Sequence, residues 1–259
     1  MKISQILLEA WRLLKGIKWP FWVVSITWLI GASILTLIAY LILTTKMLLF
    51  FKVVILSALF LAAIFLIGPL FAGMQMIPIK KIQQEQVSIK SGFRYFGSFF
   101  KLGLTILLIG IICGLLIFLI NIIFLFLFNF VGVLLGHHNG SHSDNVAIFI
   151  GFLLYMVAYA LLIFVIPLIA DKNMGIMDAL AKSVKAARPY WMKIFLVLIF
   201  LHLANMVVSL MINIPYVGVV IALLINIWLA PYFFSVVAVL YHRLIDRDEK
   251  YARPLLSTN

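Results

Sequence analysis

Six long apolar runs leave this chain few folds to choose from. They fall at about 21–44, 53–78, 102–134, 146–170, 194–213 and 217–241, each close to or above the roughly 20 apolar residues a helix needs to cross a bilayer. In lipid every backbone N–H and C=O must be satisfied within the protein, which leaves α-helices or a closed barrel. Barrel strands alternate between lipid and lumen and would interrupt such continuous runs. The chain therefore reads as one all-α integral membrane domain over residues 1–259 with six transmembrane helices. Its 66% hydrophobic content, against about 45–50% in soluble domains, makes the bilayer the solvent for most of it.

The charges orient the helices. The formal net charge is +12, but placement matters more than the sum. Eighteen of the twenty Lys and Arg residues lie on the side of the two termini, the exceptions being Lys46 and Lys52. By the positive-inside rule that side is cytoplasmic. The two exceptions lie near helix ends, where a long side chain can snorkel to the interface. Basic residues distributed in this way belong to membrane orientation, so nucleic acid is not the expected partner. Cys113 is the one cysteine, which excludes an intrachain disulfide and a cysteine metal cluster. The N-terminus does not read as a cleavable signal, because about twenty amphipathic residues precede a first run too long for a signal core.

Three shorter stretches on the basic side have the spacing of helices lying in the membrane interface. Residues 3–18 place Ile3, Leu7, Trp11 and Leu14 on one face and Gln5, Glu9 and Arg12 on another. Residues 87–101 set Lys90, Arg94 and Lys101 against Phe93, Phe96 and Phe100. After Asp171-Lys172, a third sets Asp178, Lys182 and Lys185 against Met177, Leu180, Val184 and Ala187. The three align without gaps, so that Glu9-Ala10 matches Asp178-Ala179 and Pro20-Phe21-Trp22 matches Pro189-Tyr190-Trp191. Each leads into an odd-numbered span and then an even-numbered one with an internal proline, Pro69, Pro167 or Pro231. We read three parallel units, at about 3–80, 87–172 and 174–245, followed by a charged tail over 246–259.

Within the spans, Gly68-Pro69 predicts a kink or break in span two, since proline removes a helix hydrogen bond and crowds the preceding turn. Gly110 and Gly114 form a small-residue pattern expected at a helix contact, and Asn121 and Asn129 are expected to bond between helices. His202, Asn205, Ser209 and Asn213 form a polar stripe in span five that either bonds a facing helix or lines a cavity. The stretch 137–145 reads as a solvated external connector. Its His137, His138, His142 and Asp144 are chemically able to ligate zinc or copper, but they lack a fixed spacing, and no metal is expected there.

All eight acidic residues fall outside the spans. Ion-coupled transporters place ionisable groups inside the membrane and acid–base hydrolysis needs positioned titratable groups; neither pattern is present, nor any catalytic or cofactor motif. The expected function is non-enzymatic: membrane organisation, lipid handling or a role as partner subunit, alone or as a homo-oligomer. Arg12, Lys90, Arg94, Lys182, Lys185 and Arg188 are the candidate ligands for anionic lipid headgroups. The alternative is a transporter or channel for a small amphipathic solute, with Gly68, Pro69, Gln75, Pro167, His202, Asn205 and Pro231 lining a cavity formed by proline-broken even-numbered helices.

Ile67-Gly68-Pro69-Leu70 through Gly73, then Ser91-Gly92-Phe93-Arg94, and Pro167-Leu168 followed by Asp171-Lys172, Met174-Gly175, Asp178-Ala179 and Ser183 resemble a broad bacterial group of polytopic inner-membrane proteins. The group includes the membrane domain attached to some glycerophosphodiester phosphodiesterases. The resemblance covers nearly the whole chain and implies a bacterial inner-membrane location. It supplies no catalytic residues, and with no soluble phosphodiesterase domain in these residues that activity is not expected.

Overall fold

A computed structural model describes residues 3–135, 140–215 and 217–246. Its ten α-helices among these residues are α1 (Ile3–Leu13), α2 (Lys18–Thr44), α3 (Leu49–Ile82), α4 (Ile89–Phe93), α5 (Phe99–Leu135), α6 (Gly140–Leu162), α7 (Val165–Lys172), α8 (Ile176–Ala187), α9 (Trp191–Met211) and α10 (Gly218–Tyr241). Six segments are long and apolar enough to cross a membrane, the fourth formed by α6 and α7 together. The helix expected over 87–101 is shorter than its pattern. It consists of α4, a 3₁₀ segment over Arg94–Ser98, and the first turn of α5. Helix α6 begins at Gly140, inside the stretch expected to be a connector.

The burial is uneven along the spans. Helix α3 is 34 residues long, about 51 Å at 1.5 Å per residue, against a hydrocarbon core of about 30 Å. Its stretch from Gly68 to Lys80 is buried apart from the half-buried Phe71, whereas most of Leu49 to Leu66 is exposed. Helix α10 repeats the division, with Phe234–Tyr241 buried and most of Val219–Trp228 exposed. Helix α7 contributes Val165–Ile169 to the same core. The C-terminal parts of the even-numbered spans thus meet at the end that carries Lys80, Lys172 and Arg243, called here the basic end. Toward the opposite end, the second half of α2, the first half of α3 and the first half of α10 have mostly exposed apolar side chains, as lipid solvent requires.

The short helices close this core. Helix α1 packs on α10, α4 on α3 and α2, and α8 on α6 and α7. Their inward faces are narrower than their amphipathic patterns. Helix α1 buries Ile6 and Ala10 and leaves Trp11 58% exposed at the edge of Tyr232. Helix α8 buries Ala179, Ser183 and Ala187, and Met177 is 73% exposed. In α8 small residues at spacing four let the helix approach larger neighbours, so its larger apolar side chains are left outside.

Two close approaches fix the crossings of α3. A side chain added at Gly68 would meet the Gly103 nitrogen of α5 at 2.9 Å, and one at Gly73 would run into the Gly92 carbonyl of α4. Gly110 and Gly114, where a helix contact was expected, have nothing within 4 Å of an added Cβ. Small-residue spacing alone does not say which pair of backbones will touch.

Of the kink or break expected near Gly68, the break does not occur. Helix α3 runs unbroken through Pro69 and Pro78, and α10 through Pro231. Only span four is interrupted, between Leu162 and Val165. Pro167 has no N–H to offer Ile163 and crowds its carbonyl, so the break falls there. The Ser183 hydroxyl fills the gap. It donates to the Leu161 carbonyl at 2.7 Å and accepts the Phe164 N–H at 3.3 Å, satisfying backbone groups that would be costly to bury unpaired.

Candidate functional site

The three even-numbered spans end within reach of one another, and each end delivers a polar side chain. At the end of α3, Gln84 takes a left-handed φ of 62°. The Gln84 N–H then donates to the Lys81 carbonyl and the Glu85 N–H to the Lys80 carbonyl, the two bonds of a Schellman cap. This turn holds Gln83 at the helix end and brings Glu85 to 2.8 Å from Lys80 Nζ. Helix α7 ends at Asn173, also left-handed, with Asp171 in its last turn. Lys101, from the start of α5, donates to the Asn173 carbonyl and side-chain oxygens at 3.1 and 3.2 Å. After α10, one π-helical turn over His242–Asp246 carries the third group.

Gln83 Nε2 donates to Asp246 Oδ2 at 3.3 Å and, more weakly, to Asp171 Oδ2 at 3.5 Å. One amide nitrogen has two hydrogens, enough for both carboxylates. Tyr241 donates its hydroxyl to Asp171 Oδ2 at 2.9 Å, and His242 Nδ1 lies 3.1 Å from Asp246 Oδ2. Lys172 Nζ is 3.5 Å from Asp171 Oδ2 and 3.6 Å from Asp246 Oδ1. The second distance is too long for a hydrogen bond but within ion-pair range, and Asp246 Oδ1 has no hydrogen-bond partner of its own. Arg243 pairs with Glu9, tying α1 to the end of α10.

Two carboxylates placed together repel, and here an amide, a phenol and an ammonium hold them. Such a network adds less stability than its contacts suggest, because desolvation offsets the attraction. It does specify register, since sliding one span end by a turn would leave the other two unmatched. Among the described residues no group of three His, Cys, Asp or Glu is placed to hold a metal ion.

The residues singled out from sequence fall around this junction in different ways. Arg12, Lys90, Arg94, Lys185 and Arg188 are exposed, and Lys182 is half-buried. Gly68, Pro69, Gln75, Pro167 and Pro231 are buried. Gln75 is 3% exposed, and its Oε1 has no hydrogen-bond partner. The polar stripe of span five makes no hydrogen bond to another helix among the described residues. His202 Nδ1 faces the Leu198 carbonyl of its own helix at 2.9 Å, its ring edge against Phe152 and Phe233. Asn205 is exposed, Ser209 donates to the Asn205 carbonyl, and Asn213 donates to Leu210. Asn121 bonds the Ile117 carbonyl of its own helix at 2.8 Å, not a facing helix. His137 and His138 lie outside the described residues, as do the side chains of Asn129, His142 and Asp144.

Sequence reasoning missed Gln83, Tyr241 and His242. The signal was present: Asp171 and Asp246 stand at corresponding ends of even-numbered spans, and acids beside a lipid boundary need partners nearby. No family model, curated protein or solved structure matches this chain, so the resemblance to the bacterial group rests on its short motifs.

Proposed function

We propose that this is a non-enzymatic, multi-pass protein of a bacterial inner membrane, with its basic end and both termini on the cytoplasmic side, that engages anionic lipid headgroups in membrane organisation or lipid handling. One observation carries the reading. Asp171 and Asp246 are held in the junction and the exposed Glu9 and Glu85 are each paired with a base, while Arg12, Lys90, Arg94, Lys185 and Arg188 are exposed and form no ion pair among the described residues. The exposed cations of the basic end thus outnumber its exposed acids, Glu9, Glu85 and Asp178. Each such residue near an anionic membrane contributes about 1 kcal/mol.

On this reading α1, α4 and α8 lie at headgroup depth. The threefold repeat is part of the same proposal. Each short helix packs on the even-numbered span of the preceding unit, cyclically for α1 on α10. The aligned positions Leu14, Gly92 and Ser183 are all buried. The transporter or channel alternative needs Pro69, Pro167 and Pro231 to line a path. Each is buried in the basic-end core, and no observation favours that reading.

The test is to replace Arg12, Lys90, Lys185 and Arg188 together with Gln and measure the copurifying lipids by mass spectrometry. The anionic share should fall relative to zwitterionic lipid. An unchanged share, with topology preserved, would sink the proposal.

A further inference from the structure

The border between the basic-end core and the lipid-facing hairpins carries a groove of about 420 Å³, lined by Ala62, Phe65 and Leu66 of α3, Phe96 of the 3₁₀ segment, and Phe99 and Phe100 of α5. Its position follows from the Gly68 crossing, where α3 leaves the core. Phe65 and Phe100 stack at 5.4 Å with their planes 17° apart. A side chain at Gly103 would strike the Phe65 ring, so this glycine lets the ring settle onto α5. Leu66, Phe99 and Phe100 are about half exposed. Water gains nothing in such a groove, whereas a hydrocarbon chain fits its chemistry.

Arg94 begins the same one-turn 3₁₀ segment that places Phe96, is exposed, and forms no ion pair among the described residues. Beyond Phe96 come exposed Gly97, with open space where a side chain would project, and exposed Ser98. A guanidinium binds phosphate with paired N–H donors. An exposed cation two residues before a groove-lining aromatic matches a molecule with an anionic head and an apolar tail.

We infer that this groove is a binding site for an anionic phospholipid, its acyl chain lying against Phe65, Phe99 and Phe100 and its phosphate held by Arg94. The inference rests on the headgroup reading above and narrows it from a charged surface to one seat.

The full-length protein is reconstituted in bilayers containing phosphatidylglycerol with a diazirine in its acyl chain, irradiated, and its adducts mapped by mass spectrometry. Adducts should concentrate on residues 62–66 and 96–100. Arg94→Gln should reduce them about fivefold, the factor equivalent to about 1 kcal/mol, and Arg94→Lys should restore part of the loss. Ala62→Trp, which fills the groove and leaves Arg94 in place, should also reduce them. Because the bulky substitution can disturb folding, Arg94→Gln at an exposed position is the deciding variant. A phosphatidylcholine probe that labels the groove equally, or adducts spread evenly over α2, α3 and α5, would overturn the site. The fourfold Gln variant described above retains Arg94. If it loses anionic lipid while groove labelling is indifferent to headgroup, only the groove fails; if its lipid content is unchanged while the groove labels selectively, only the broad surface reading fails.

Discussion

The two ends of the bundle solve the same problem with different means. At the opposite end, α2 and the first half of α3 form a hairpin whose side chains are mostly exposed. There Lys52 reaches back to donate to the Leu43 carbonyl at 2.9 Å, capping one of the last carbonyls of α2. At the basic end, the same α3 is buried on nearly every side and touches two helices through glycines. Lipid tails are as apolar as leucine, so apolar side chains alone give spans little reason to prefer one another. Backbone contact and polar matching supply the preference, and both are concentrated at the basic end.

That comparison can be broken first at Gly73. Gly73→Leu would drive a side chain into the Gly92 carbonyl, and we expect a loss of about 3 kcal/mol or more, at the upper end of overpacking costs, with little monodisperse protein recovered. Gly114→Leu should leave the thermal midpoint nearly unchanged, within about 0.5 kcal/mol. Equal effects at the two positions would mean that the ends are alike. The next largest contrast is Ser183→Ala, which strips two backbone partners from the break in span four. It should cost about 1–3 kcal/mol, read as a lower unfolding midpoint in detergent, while Ser209→Ala, at an exposed position of α9, should cost almost nothing. Gln83→Leu should cost about 1–2 kcal/mol by removing the bridge between Asp171 and Asp246. Hydrogen exchange should then rise at the ends of α7 and α10 and not in α2. The smallest effect belongs to Lys52→Ala, about 0.5 kcal/mol, seen as faster exchange at the α2 C-terminus alone.

The spans were legible because burial in lipid leaves a signal in every residue of a run: all six segments lie where continuous apolarity places them. Contacts between helices were not, since they depend on pairs of residues far apart in the chain. Gly110 and Gly114 have the better local pattern, yet Gly68 and Gly103, from different spans, make the close crossing. Pro69, Pro167 and Pro231 look equivalent in sequence. Beside Pro167 the helix breaks and α8 offers the Ser183 hydroxyl to the backbone there, whereas α10 stays continuous through Pro231 and the Trp22 indole of α2 donates to the freed Ile227 carbonyl at 3.0 Å. The basic rim was readable from charge placement, whereas the junction it surrounds depended on Gln83, a neutral side chain that no charge count draws attention to.

The seat of α1 has a consequence for synthesis. Tyr232 donates to the Leu7 carbonyl across 225 residues, and Arg243 reaches Glu9 from farther still. At about 5–20 residues per second, the first helix emerges about 10–45 s before the surface it will cover exists. Until α10 is made, Ile6 and Ala10 have no partner there, so a chain truncated before Gly218 would leave α1 without the surface it covers.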